Sequence, residues 1–116
     1  MSVYKIFYNP RCSKSRQALQ LLKDNNCKIE IISYLEIDLE VSLIEDILKK
    51  LALKPRDILR KGEQEYKDNN LKKDNLSEED LINYMIKYPK LIERPIVVKG
   101  DKAVIGRPPE NVLELI

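Results

Sequence analysis

Residues 3 to 33 constrain this chain's fold more than any other stretch. Val3 to Phe7 is rich in β-formers and runs into Asn9-Pro10, so it reads as a strand entering a turn. From Ser13 the pattern changes. Ala18, Leu19, Leu21 and Leu22 fit one apolar side of a helix that ends near Asn25-Asn26. Lys28 to Ser33 is the next strand, carrying Ile29, Ile31 and Ile32. Two strands joined through a helix at this spacing predict a parallel βαβ unit with a right-handed crossover.

A helical middle section follows. Val41, Ile44, Ile47, Leu48 and Leu51 recur at helical spacing, and Pro55 suits the first turn of a short helix through Leu59. Residues 61–76 are polar and expected at the surface, in part helical. Ser77 with Asp80 resembles a capping box opening a helix that carries Leu81, Ile82, Met85 and Ile86. Pro89 stops it at Tyr88. Ile96-Val97-Val98 and Ala103-Val104-Ile105 then read as strands. Gly100-Asp101 between them fits a two-residue hairpin turn with glycine first. Pro108-Pro109 opens a final helix through Ile116. The order βαβ, helical insertion, ββα is a thioredoxin-like α/β fold with a central mixed four-stranded sheet. Nothing splits it, so residues 1–116 are expected to form one domain with a helical insertion at about 38–92.

Composition excludes several functions. The chain has 116 residues, with 21 basic against 19 acidic side chains and a net charge of +2. That balance gives no general drive toward nucleic acid or an anionic membrane. No apolar run approaches the roughly 20 residues of a membrane helix. The opening MSVYKIFYNP lacks a signal peptide's apolar stretch, so a cytoplasmic protein is expected. There is no histidine, which removes Ser-His-Asp and Cys-His catalysis and every histidine metal ligand. Two cysteines cannot by themselves build a structural zinc site, and a cytosolic structural disulfide is not expected. Chemistry must rest on cysteine, carboxylates, lysine, arginine or tyrosine. The mostly charged surface favours a monomer.

Cys12 falls in the loop between the first strand and its helix. Amides at a helix start are unpaired and partly positive, so they stabilise a thiolate or an adjacent oxyanion. A free cysteine titrates near 8.5, and making it mostly thiolate at pH 7 takes about 2.7 kcal/mol. A helix terminus supplies up to ~2 kcal/mol. The helix alone is therefore marginal, and additional cations should help. Arg11, Lys14 and Arg16 are neighbours in sequence, of which one or two can point inward. The alternative reading of Cys12 is a small buried apolar residue, and that is the expected role of Cys27. A helix of about ten residues spans roughly 15 Å, whereas a disulfide needs Cα atoms within about 7 Å. Cys12 and Cys27 are therefore expected to stay unbridged. Ser15 stands three residues after Cys12, so there is no Cys-x-x-Cys partner, and an outside thiol must reduce an oxidised Cys12.

The segments YNPRCSKSRQAL, ILRKGEQEYK, LIERPIVV and AVIGRPPENVLE together resemble the glutaredoxin-coupled arsenate reductase (ArsC-like) family, in order and across essentially the whole chain. The resemblance implies a thioredoxin-like fold and a cysteine that attacks arsenate. Glutathione, as co-substrate, then attacks the adduct, glutaredoxin reduces the mixed species, and arsenite leaves; no bound cofactor is implied. The nucleophile maps onto Cys12. The arginines that hold the oxyanion map onto Arg60, Arg94 and Arg107. Tyr8, Asn9, Ser15 and Pro95 are the supporting residues. Tyr8 stands where some members carry histidine, and the Arg94–Pro95 bond is the expected cis bond facing the cysteine. Arginine suits the role physically, since its planar fork of donors matches a tetrahedral oxyanion.

Two other readings compete. The superfamily includes Spx-type redox regulators that bind RNA polymerase, which commonly switch through a Cys-x-x-Cys pair at this loop; Ser15 argues against that. A related thiol reductase acting on another small oxyanion or a glutathione mixed disulfide is the other.

Overall fold

The computed structural model describes residues 3–116. Strand β1 (Val3–Phe7) leads through a short turn into helix α1 (Ser13–Asp24), which returns the chain to β2 (Lys28–Ile32). Buried Ser15, Ala18, Leu19 and Leu22 lie at i, i+3, i+4 and i+7, one stripe of an α-helix. β1 and β2 pair in parallel from Val3↔Lys28 to Phe7↔Ile32, as the βαβ reading expects.

The chain divides into two compact units. One runs through Ile37 and resumes at Arg94–Ile116; the other is Asp38–Glu93. In the first, β3 (Ile96–Lys99) and β4 (Lys102–Ile105) complete a four-stranded sheet of order β2-β1-β3-β4. β3 runs antiparallel to both β1 and β4, so the sheet is mixed. Ile96, Val97 and Val98 are all buried, as a strand covered on both faces requires. Gly100 takes φ +62° at the first position of the β3–β4 turn while Asp101 stays at negative φ, the geometry for which glycine is suited. One core cluster joins Tyr4 and Ile6 of β1, Ala18, Leu19 and Leu22 of α1, Val97 of β3, and Val112 and Leu115.

The last segment differs from expectation. Pro109–Leu115 forms a 3-10 helix, not an α-helix. Its buried residues are Pro109, Val112 and Leu115, spaced every three residues. Three residues per turn puts them on a single ridge. Its end is fixed by Tyr4 Oη and Lys99 Nζ, which donate to the Leu115 carbonyl at 3.2 and 2.9 Å.

The second unit is helical: α2 (Val41–Leu51), a 3-10 turn at Pro55–Ile58, α3 (Gln64–Asp68), α4 (Glu78–Lys87) and a 3-10 turn at Pro89–Leu91. Ala52 at φ +58° closes α2, and α4 packs on α2 and on the Pro55 turn. Ile44, Ile47, Ile58, Leu71, Leu81, Met85 and Leu91 are buried there. An isolated bridge joins Leu59 to Ile92. Among the described residues, no helix is long and apolar enough to cross a membrane, and no group of three potential metal ligands occurs.

Candidate active site at the start of the first helix

The turn from β1 to α1 is tied from within. The Arg11 N–H donates to Asn9 Oδ1 at 3.0 Å, and the Cys12 N–H to the Asn9 carbonyl at 3.0 Å. Cys12 is the N-cap of α1, with extended φ and ψ of −94° and 119°. Its carbonyl accepts the first helical bond from the Arg16 N–H, 3.1 Å. Cys12 is buried, only 7% exposed, and both it and Cys27 are free thiols. Ser15 follows one helical turn later with no exposure at all. Its Oγ lies 3.5 Å from the Asn9 N–H, which donates to it.

Burial raises the Cys12 pKa, but stabilising groups outweigh it and hold the thiol at about 7, below its ordinary 9.0. They are the Ser15 N–H, the Ser15 hydroxyl, the Lys14 N–H and the charge of Arg94. No side-chain cap bond of ordinary geometry closes the helix start. The Ser15 and Lys14 amides at the helix start favour the charged form of the sulfur.

The cation comes from far along the chain rather than from the neighbours of Cys12. Arg16 Nη1 donates to the Pro10 carbonyl at 2.8 Å, and Arg11 is exposed. Lys14 contributes its main-chain amide. Arg94 supplies the charge. Arg107 brings Nη2 to 3.7 Å from Cys12 Sγ, while its Nε donates to the Arg94 carbonyl at 2.7 Å. The Arg94–Pro95 and Arg107–Pro108 bonds are both cis. The Gly106 N–H donates to the Pro95 carbonyl at 2.8 Å. A Cβ at Gly106 would lie 2.8 Å from Pro95 Cγ, so this crossing admits no side chain without a shift.

Tyr8 is half-buried against the core cluster, and its main-chain N–H donates to the Ile32 carbonyl at 2.9 Å. Arg60 belongs to the second unit. There its Nε meets Glu63 Oε1 at 3.2 Å and its Nη1 meets Glu93 Oε1 at 2.9 Å. Its main-chain N–H donates to the Leu91 carbonyl at 2.7 Å. Cys12, Asn9, Ser15, Arg94, Pro95 and Arg107 are thus gathered within the first unit, and Arg60 is held in the second by two carboxylates.

The ArsC family model matches residues 7–115, which takes in the Cys12 turn and the Arg60, Arg94 and Arg107 motifs. The chain belongs to the ArsC family. Among its relatives is an arsenate reductase of Haemophilus influenzae, 43% identical, with 96% of this chain and 97% of that protein aligned. Another is the Escherichia coli protein YfgD, whose description is uncharacterized, at 50% identity over 97% of this chain and 95% of its own. The structure of an arsenate reductase from Vibrio cholerae superposes with a TM-score of 0.96 at 41% identity, covering 99% of this chain and 98% of that one.

In this ArsC-family chain, sequence reasoning missed residues in contact with the candidate arginines: Glu63 and Glu93 pair with Arg60, Gly106 admits the Pro95 crossing, and Asn111 Nδ2 donates to the Arg107 carbonyl at 3.0 Å. Gly106 and Asn111 lie inside AVIGRPPENVLE without titratable chemistry to mark them. Glu63 and Glu93 lie inside ILRKGEQEYK and LIERPIVV, where no spacing marks their carboxylates as partners of Arg60. The one signal was that Gly106 immediately precedes Arg107; Glu93 immediately precedes Arg94 but pairs with Arg60.

Proposed function

We propose that this protein reduces arsenate to arsenite in the cytoplasm, using Cys12 as nucleophile and glutathione with glutaredoxin as the source of electrons. The observation that carries the reading is a buried thiol at the N-cap of a helix with Arg107 Nη2 3.7 Å from its sulfur, where the Ser15 and Lys14 groups and Arg94 lower its pKa to about 7. Half of such a thiol is thiolate at neutral pH, and the thiolate is the attacking species. Arginine forks beside it suit a tetrahedral dianion and the charge that builds on it as the thiolate arrives.

The Cys12 thiolate attacks arsenic and an arsenic oxygen leaves as water, giving a Cys12–S–As(V) adduct. The thiol of glutathione displaces a second oxygen, again as water. A glutaredoxin thiolate then attacks the glutathione sulfur, and the S–As electron pair stays on arsenic. Arsenic becomes As(III), and a glutaredoxin–glutathione disulfide departs. Water releases arsenite and restores the Cys12 thiol. Arg94 and Arg107 hold the oxyanion oxygens. Arg60 joins them in this reading on its motif, with Glu63 and Glu93 fixing its guanidinium. Ser15 sustains the thiolate, Asn9 orders the turn, and Tyr8 and Pro95 support the surrounding backbone. No resident cofactor is required, and the unit of function is a monomer.

Arsenite formation with glutathione and glutaredoxin supplied is expected from the wild-type protein and from Cys27→Ser. Cys12→Ser should show none. A folded wild-type protein that produces no arsenite with any of several glutaredoxins overturns the proposal.

A further inference from the structure

The loop that carries Arg107 leaves β4 and enters the final 3-10 helix, and one side chain on that helix spans the join. Asn111 Nδ2 donates to the Ile105 carbonyl at 3.1 Å and to the Arg107 carbonyl at 3.0 Å. These are the carbonyls on either side of Gly106, whose own N–H donates to Pro95. Three main-chain groups between Ile105 and Arg107 are therefore committed to fixed partners. Downstream of the same residue, Arg107 Nε is committed to the Arg94 carbonyl, and its Nη2 faces Cys12 Sγ. Asn111 is itself held, because its main-chain N–H donates to the Pro108 carbonyl at 3.0 Å and its helix packs on α1 and β4. Only a primary amide offers two N–H donors on so short a stem. Aspartate there would face two carbonyls with acceptors alone.

We propose that Asn111 is a positioning residue for Arg107: its amide pins the carbonyls flanking Gly106 and so aims the Arg107 guanidinium at the oxyanion beside Cys12. Asn111 does not touch the sulfur, and the groups that hold the Cys12 thiol down are Ser15, Lys14 and Arg94. Loss of the amide should therefore act on anion binding, and on thiol ionisation only through Arg107, whose Nη2 lies 3.7 Å from Cys12 Sγ. This rests on the arsenate-reducing reading for its substrate, but not for its geometry.

The test compares Asn111→Ala and Asn111→Ser, each alone and combined with Arg107→Ala, by KM and kcat for arsenate and by the pH profile of Cys12 alkylation. Asn111→Ala is expected to raise KM on the order of tenfold with a smaller change in kcat, within the roughly hundredfold that a 1 Å misplacement can cost. Asn111→Ser keeps one donor and should fall between. Neither should move the alkylation midpoint further than Arg107→Ala does, and neither should raise KM or move that midpoint further once Arg107 is alanine. An unchanged KM in the single variants overturns the inference. So does an equal rise in KM with Arg107 already removed, because Asn111 would then act through the fold at large. If wild-type protein binds arsenate without turning it over, the functional reading fails alone. The arsenate concentration that protects Cys12 from alkylation then replaces KM, with the same expectations.

Discussion

Ser15 is buried completely, accepts the Asn9 N–H, and turns both its hydroxyl and its amide toward the Cys12 sulfur. Hydrogen bonds to a charged partner contribute about 1.5–3 kcal/mol, and 1.4 kcal/mol corresponds to one pH unit. Replacing Ser15 with alanine removes the hydroxyl and keeps the amide. The midpoint of Cys12 alkylation against pH should rise from about 7 by roughly 1–2 pH units. An unmoved midpoint would mean that the amides and Arg94 suffice. At this scale Cys12 was legible because a strand, a turn and a helix start are all written locally around it. The cations were not legible from spacing alone. Arg11, Lys14 and Arg16 are nearest in sequence, yet the charge on the sulfur is Arg94's, some eighty residues away. Only the family motifs pointed there. Gly106 was equally hidden, since its reason is the 2.8 Å approach a Cβ would make to Pro95.

Most elements announce themselves through capping and periodicity. Ser77 Oγ accepts the Asp80 N–H, and Asp80 Oδ2 accepts the Ser77 N–H, both at 3.0 Å. That reciprocal pair opens α4 where Ser-x-x-Asp placed it. Ser77→Ala should cost about 1 kcal/mol in urea unfolding, as N-cap losses do. A cost near zero would show that packing of Leu81, Ile82 and Met85 fixes the helix unaided. The final segment misled because Pro109, Val112 and Leu115 suit one turn of either helix. Spacing of three is shared by both over so short a run, and the burial of all three at once selects the tighter form. The all-apolar Ile96–Val98 signalled an interior strand, but its place between β1 and β4 depends on distant pairing that no local pattern records.

For the molecule as a whole, ionisation of Cys12 is a term in folding stability. Its folded pKa of about 7 lies below the ordinary 9.0, so the native state binds fewer protons than the unfolded chain between those values. The resulting stabilisation is complete above pH 9 and is lost as pH falls through 7. Wild-type protein should gain stability relative to Cys12→Ser as pH rises from 7 to 9, measured by urea midpoint under reducing conditions. A difference that stays level across that range contradicts a depressed thiol. The βαβ start and the ββα close of this architecture could be read from sequence. The division into two units, with Arg94 opening the return to the sheet, could be read only as a change in periodicity. The N-cap of α1 carries a last consequence. A sulfur that begins a helix cannot take on a substituent without that helix losing the negative pole its leading amides face. Oxygens carried by such a substituent would lie where the same amides can donate to them, so the helix start offers its positive end to the adduct as it does to the bare sulfur.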